Sequence, residues 1–375
     1  MKFSISLGLL SDALGIVGRA VAVKGVRPIL ANVLVNVENG EIRLVGTDTE
    51  IMALARIPAT IEIPGHFTIP AKLLQEIIGS LPGDANAEVR CELLDGQENL
   101  IQIACGRNKF SIPVQGVEDF PPIPSLESEA YPHFEIAAEE LRRALKEVSI
   151  AVGTDDSNPS QRSICWNFGA EREITLAATD SRRLAVTHIR NVAFPAEFGK
   201  MLLLPARALA DTIKLLESAE TVTIGLFQQQ LVLTAPQFQL ITRLIDGKFP
   251  DYNRVLPKES NRRLTVDRKE LVQSLKSVTP IARHSSYMVR FDIGPNETKI
   301  WAESREEGRS EVFLPTSLEG EPINIAFNSV YMLDFLAVTD VDAVVLEMTT
   351  PSYPGVLRPK GDDQPFRYVV MPMTN

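Results

Sequence analysis

The stretch "LVGTDTEIMALARI" (Leu44–Ile57) recurs, loosened but recognisable, as "LAATDSRRLAVTHI" (Leu176–Ile189). Leu, Thr-Asp, Ala and Ile return at the same offsets. A fainter third copy reads "IWAESREEGRSEVFL" (Ile300–Leu314). A second anchor agrees: "VEDFPPIP" ends at Pro124 and "DGKFPDYNRVLP" ends at Pro257. The unit is roughly 120 residues, well beyond the 20–50 of solenoid repeats, so a whole domain is copied three times. Such a chain builds a pseudo-symmetric surface, a ring or an arc, more readily than one catalytic pocket.

Within each copy the pattern is strand then helix, twice over. "FEIAAEELRRALKEV" sets Leu141, Leu145 and Val148 on one helical stripe, with Glu139 and Glu140 in the first turn, where the helix dipole favours acids. "LTVDRKELVQSLKSV" repeats the stripe with Leu271, Leu275 and Val278, and Asp267 reads as its N-cap. "LLSDALGIV" gives Leu10, Leu14 and Val17. The second halves begin "FTIPAKLLQEIIGSL", "LLLPARALADTIKLL" (Leu209, Ile213, Leu216) and "INIAFNSVYMLDFL". Short alternating strands such as "AEVRCELL", "TVTIGLF" and "AVVLEM" follow the helices. The expectation is an α+β chain of three domains, each with two helices and about eight strands. Pro-rich junctions near residues 121–132 and 256–261 divide it into 1–125, 126–258 and 259–375.

Composition narrows the function. Of the 375 residues, 45% are apolar, enough for a core in each domain. No run approaches the ~18 apolar residues of a membrane-spanning helix, and the opening "MKFSISLGLL" reads as a strand without a cleavage site. Cys91, Cys105 and Cys165 are few and not at ligand spacing, as in buried thiols of a reduced cytoplasm. Net charge is −10, yet the six helical segments together carry +2, so the acidity lies in strands and loops. Arg142, Arg143, Lys146, Arg207, Lys214, Lys269 and Lys276 fall on non-core helix faces. Solvated surface is the plain reading; a basic track made by helices facing one axis is the functional one.

Catalytic signatures are missing. The sequence has no G-x-x-x-x-G-K-[ST], G-x-G-x-x-G after a strand, H-E-x-x-H or G-x-S-x-G. Its histidines (His66, His133, His188, His284) are scattered, so no metal or other cofactor is expected. Asp48 and Asp180 in the repeated Thr-Asp read as turn caps, not catalytic acids.

These residues carry a resemblance. "MKF", "RPIL" (Arg27–Leu30), "GTDTE", "GRNKFSIP", "ATDSRRLAV", "DGKFPDYNRVLPK" and the terminal "YVVMPM" are similar, along the whole chain, to the bacterial DNA polymerase III β subunit family, the sliding clamps. The resemblance implies helix pairs backed by antiparallel sheet, and two chains closed head to tail into a ring around double-stranded DNA. It implies no enzymatic activity. The implied partners are the polymerase III catalytic subunit, the clamp loader, and other polymerases and repair proteins bearing a short clamp-binding peptide. That peptide's pocket would be formed by Thr179, Ser181, Arg182, Arg183, Leu184, Pro250, Arg254, Val255, Tyr331, Val369, Met371, Pro372 and Met373. DNA would meet Lys24, Arg27, Arg142, Lys146, Arg207, Lys214 and Lys276 through phosphate, without base reading. The dimer would close through Arg107, Phe110 and Ile112 against Ile281. At one place the chain departs from the family: Ser181-Arg182 stands where Gly-His is common. That puts Ser at a turn suited to Gly and adds a fixed charge to the rim. A scaffold that never touches DNA keeps the repeats and the pocket but needs no basic face.

Overall fold

The computed structural model describes all residues except 23–26, 95–98, 125–130, 156–157, 170–171, 200, 258, 362 and 375, and the side chain of residue 211. Lys24 and the expected junctions at 125/126 and 258/259 therefore fall on residues outside those described.

The first copy runs β1 (Lys2–Ser6), α1 (Leu7–Val17), β2 (Asn32–Glu38), β3 (Glu41–Thr47), β4 (Ile51–Pro58), β5 (Thr60–Ile63), β6 (Gly65–Pro70), α2 (Ala71–Ser80), β7 (Glu88–Leu93), β8 (Leu100–Cys105) and β9 (Asn108–Pro113). The second runs β10 (His133–Ala137), α3 (Ala138–Ser149), β11 (Ser163–Phe168), β12 (Ile174–Thr179), β13 (Arg183–Ile189), β14 (Met201–Pro205), α4 (Ala206–Leu215), β15 (Thr221–Phe227), β16 (Gln230–Ala235) and β17 (Phe238–Arg243). The third runs β18 (Arg262–Asp267), α5 (Arg268–Ala282), β19 (Met288–Ile293), β20 (Glu297–Ser304), β21 (Gly308–Pro315), β22 (Ser317–Glu319), β23 (Ile323–Asn328), α6 (Ser329–Val338), β24 (Ala343–Met348), β25 (Gly355–Pro359) and β26 (Arg367–Val370).

The chain resolves into two compact units, Met1–Glu139 with Arg207–Leu244, and Glu140–Ala206 with Ile245–Asn375. The middle copy is divided between them because each of its halves continues a sheet of another copy. In the first unit β17 pairs antiparallel with β4, from Phe238 opposite Ala55 to Thr242 opposite Ile51. This makes one eight-stranded sheet, β10-β15-β16-β17-β4-β3-β2-β6, beside a five-stranded sheet, β5-β1-β7-β8-β9. In the second unit β26 pairs with β13, from Arg183 opposite Val370 to Val186 opposite Arg367. Its sheets are β14-β11-β12-β13-β26-β25-β24-β18-β22 and β21-β20-β19-β23.

The helical stripes bury as their spacing predicts. Leu10, Leu14 and Val17 join Leu74, Ile77 and Ile78 of α2 in the first unit's core. Leu141, Leu145, Val148, Leu271, Leu275 and Val278 are buried as well. Full burial of one such side chain contributes roughly 1.5–3 kcal/mol before entropic costs. Asp267 caps α5 by accepting from the Glu270 N–H at 2.9 Å. Gly46 is needed where β3 crosses α1, because a Cβ there would lie 2.2 Å from the Val17 carbonyl oxygen.

Two expectations change. Arg143 is not a free basic face. Its guanidinium donates to Glu140, Glu147, Thr187 and the His188 carbonyl. Ile112, expected at a subunit interface, is buried in its own unit's core. Strand alternation puts Phe110 on the same face, but nearer the edge, where it stays half-exposed.

Candidate functional site

The repeated Thr-Asp builds the same turn twice. In the β12–β13 turn, the Thr179 hydroxyl donates to the Arg183 carbonyl at 2.7 Å and accepts from the Ser181 N–H at 3.2 Å. Asp180 Oδ1 accepts from the Arg182 and Arg183 N–H groups at 2.9 and 3.0 Å. In the β3–β4 turn, Thr47 donates to the Ile51 carbonyl at 2.8 Å and accepts from Thr49, while Asp48 accepts from Glu50 and Ile51. Short polar side chains here replace missing backbone partners, which is why Thr and Asp recur.

The Thr179 turn overhangs a cavity of about 190 Å³ in the second unit. Leu184 and Val369 form its buried floor, Pro250, Tyr252 and Val255 one wall, and Thr179, Ser181, Arg183 and Met371 the rim. Val255 and Met371 are large apolar side chains left exposed, at 40% and 42%. The two floor residues, Val369 and Leu184, sit opposite each other across β13 and β26. The Met371 N–H continues that pairing to the Arg182 carbonyl at 2.9 Å.

Arg183 is immobilised. It donates to Asp180 at 3.0 Å, to Asp334 at 2.5 Å and to the Tyr368 hydroxyl at 3.2 Å. Its guanidinium lies 4.3 Å from the Tyr331 ring centroid. Burial works against its charge, but Tyr368 and the two carboxylates outweigh it and raise the pKa above the ordinary value. Burial likewise raises the Tyr368 and Tyr252 hydroxyls above the usual tyrosine range.

Of the expected pocket residues, Thr179, Ser181, Arg183, Leu184, Pro250, Val255, Val369 and Met371 line the cavity. Arg182 is exposed beside it. Arg254 pairs with Asp251 at 3.0 Å and keeps 86% of its side chain exposed. Tyr331 reaches the cavity through Arg183, not directly. Pro372 and Met373 are half-buried, the Met373 N–H binding the Ala326 carbonyl at 2.8 Å. Tyr252 lines the wall unforeseen; the signal was its place in "FPDYNRVLP". Ser181 accepts φ 71° and receives a hydrogen bond from Gln161 at 2.5 Å.

The other candidates sit apart. In the first unit, Arg27 and Lys214 are exposed, and Arg207 pairs with Asp48 at 3.2 Å. In the second, Lys146 and Lys276 are exposed and Arg142 is half-buried. Lys269 and Lys276 share one face of α5 with Val272, Gln273 and Ser277. Arg107 is exposed before β9, and Ile281 is half-buried in the last turn of α5. Among the described residues no group of three or more His, Cys, Asp or Glu side chains could hold a metal ion, and no helix is long and apolar enough to cross a membrane.

Copied domains joined strand to strand, with a small apolar cleft under a capped turn, define a repeated-domain binding protein. Comparison with known proteins narrows the class. Residues 1–124, 135–251 and 253–374 match the N-terminal, central and C-terminal domains of the DNA polymerase III beta subunit. The chain belongs to that family, the DNA sliding clamps. It is 29% identical to the beta sliding clamp of Vibrio cholerae, with all of both chains covered. It is 30% identical to a beta sliding clamp homolog of Streptomyces muensis, covering 100% of this chain and 99% of that one. Among solved structures, the Bartonella birtlesii sliding clamp bound to griselimycin superposes with a TM-score of 0.92 at 26% identity, over 100% of both chains. The Thermotoga maritima beta subunit gives 0.90 at 26% identity, over 100% of this chain and 99% of that one.

Proposed function

We propose that two copies of this chain close head to tail into a ring around duplex DNA, and tether the replicative polymerase and other DNA-processing proteins by short peptides seated in the Thr179 cavity. The observation that carries this is a pair of unsatisfied strand edges. β17 pairs with β4 and β26 with β13, while among the described residues the equivalent strands β9 and β21 end their sheets unpaired. An exposed edge is a template for another chain, and a second copy would supply the missing partner at both. β21 also exposes Phe313 at 54%.

The internal junctions give the register. Gln239, next after the β16–β17 hairpin pair, faces Leu54. Lys109 holds the same place after the β8–β9 pair. Since Leu44 and Ile300 align, and face Ala55 and Val312, Glu311 corresponds to Leu54. Lys109 of one copy would therefore face Glu311 of the other. Phe110, with Arg107 nearby, would meet Ile281 at the same joint.

Domains 1–125, 126–258 and 259–375 would each carry a helix pair toward the DNA. Arg27, Arg142, Lys146, Arg207, Lys214 and Lys276 are the cations read as phosphate contacts, with Lys24 close to Arg27 in sequence. Phosphate contact without base reading suits a protein that slides. A clamp loader opens the ring, the setting is the cytoplasm, and the chain tethers without catalysing. Leu184, Val369, Pro250 and Val255 suit apolar peptide anchors.

The test is topological. The protein should remain on closed circular DNA, leave when it is linearised, and show a solution mass near twice 41.4 kDa. A monomer that binds the polymerase peptide but is never retained on circular DNA would favour the scaffold reading.

A further inference from the structure

The first unit contains a second cleft, of about 470 Å³, beneath the Thr47 turn. It shares the turn, the floor and the first wall proline of the Thr179 cavity. Thr49 and Ser181 have φ of 81° and 71°. Met52 faces Ile241 where Leu184 faces Val369. The Arg243 N–H binds the Glu50 carbonyl at 3.1 Å where Met371 binds Arg182 at 2.9 Å. Pro121 follows Phe120 on the wall, as Pro250 follows Phe249.

The side chains differ in a directed way. The clamped Arg183 becomes Ile51, so this cleft has no fixed guanidinium at that position. Exposed Arg182 becomes Glu50 and apolar Met371 becomes Arg243. Glu118 and Asp119 add two more carboxylates, and Arg27 one guanidinium, whose Nη2 donates to the Asp119 carbonyl at 2.8 Å. Three carboxylates therefore face two guanidiniums, Arg27 and Arg243, around an apolar floor, and among the described residues Glu50, Glu118 and Asp119 make no ion pair, which leaves them open to a ligand's cation.

We infer that this cleft is a second peptide site, taking an extended segment with an aliphatic anchor flanked by lysine or arginine. The anchor fills the space over Met52 and Ile241, and the cation reaches Glu50, Glu118 and Asp119. The inference rests on the peptide reading of the Thr179 cavity, because the shared backbone is what marks the cleft as a peptide seat. The different rims select different partners, so one chain holds two classes of peptide.

The test uses the full-length protein and two fluorescein-labelled probes, each Leu-Gly-Leu flanked by either Lys or Glu. Val255→Asp silences the Thr179 cavity at an exposed wall position. In that background the Lys-flanked probe should still bind, with Glu50→Lys and Met52→Asp each weakening it roughly tenfold. The Glu-flanked probe should bind roughly tenfold less tightly. Glu50 is exposed, so Glu50→Lys reports even if Met52→Asp fails to fold. No binding in the Val255→Asp background, indifference to Glu50→Lys, or equal binding of both probes overturns the inference. If Val255→Asp instead leaves polymerase-peptide binding unchanged, the Thr179 reading is what fails.

Discussion

Thr49 and Ser181 hold one position in two copies of a single turn, both in left-handed backbone, with φ of 81° and 71°. Glycine takes that conformation without penalty, and a β-branched residue takes it worst. Ser181 has a compensation, the Gln161 hydrogen bond; among the described residues the Thr49 side chain has no counterpart to it. Thr49→Gly should therefore stabilise the protein by about 0.5–1 kcal/mol, while Ser181→Gly stays near zero as relieved strain and the lost bond cancel. Urea denaturation of both variants decides it. A larger gain at residue 181 than at 49 would contradict the compensation.

Arg183 ties β13 to α6 and β26 through Asp334, Tyr368 and the Tyr331 ring. Lysine would keep the charge but neither fork between two carboxylates nor stack as a plane. Arg183→Lys should cost about 1–3 kcal/mol. Adding Asp334→Asn should cost much less in the Lys background than alone, because the two residues share one network. Additive losses in a double-mutant cycle would show that Asp334 acts elsewhere.

Much of this plan was legible in the sequence, because period and repetition survive divergence. The stripes through Leu14, Leu145 and Leu275 needed only helical spacing, and Thr-Asp needed only its recurrence. What escaped depended on distant partners. Arg143 looks like helix surface until Glu147 and Thr187 are placed around it. Ile112 reads as an exposed edge residue until it is seen to join the core that α1 and α2 also enter. The second cleft was invisible because its likeness lies in the backbone, while Ile51, Glu50 and Arg243 share no chemistry with their counterparts.

His188 shares its Nδ1 between Glu173 at 3.0 Å and Thr175 at 3.2 Å. Burial lowers its pKa below the ordinary 6.5, Arg190 and Arg367 add to that, and Glu173 opposes. A histidine held low in the fold binds fewer protons folded than unfolded. Its stabilising contribution is therefore present above pH 6.5 and lost as pH falls through the lowered value. His188→Gln should flatten the loss of stability on acidification from pH 7 toward 5. Parallel melting curves for both proteins across that range would remove His188 from the acid response.

The proposed ring sets Lys109 against Glu311 of the partner copy at each joint. Lys109→Glu should place like charges opposite across two antiparallel junctions, weakening the dimer by up to about 1 kcal/mol at each. Combining it with Glu311→Lys should restore the dimer in the same chain. Sedimentation at low salt is the measurement, because screening weakens exposed pairs. A double variant no better than Lys109→Glu would reject the register.

The C-terminus separates fold from binding. β26 ends at Val370, with Tyr368, Val369 and Val370 all 1% exposed or less. Deleting residues 371–375 spares that strand. It removes the exposed Met371 from the rim, together with two backbone hydrogen bonds, Met371 to Arg182 and Met373 to Ala326. Two peripheral bonds are worth roughly 1–3 kcal/mol together, so the truncated chain should remain a folded dimer on circular DNA with a modestly lower melting temperature. Its affinity for a polymerase-derived peptide should fall at least tenfold, about 1.4 kcal/mol, because an apolar anchor loses one side of its seat. Calorimetry and fluorescence polarisation on one preparation resolve the two effects. A strongly destabilised protein with normal affinity per folded molecule would make the tail a core element and end its assignment to the peptide pocket.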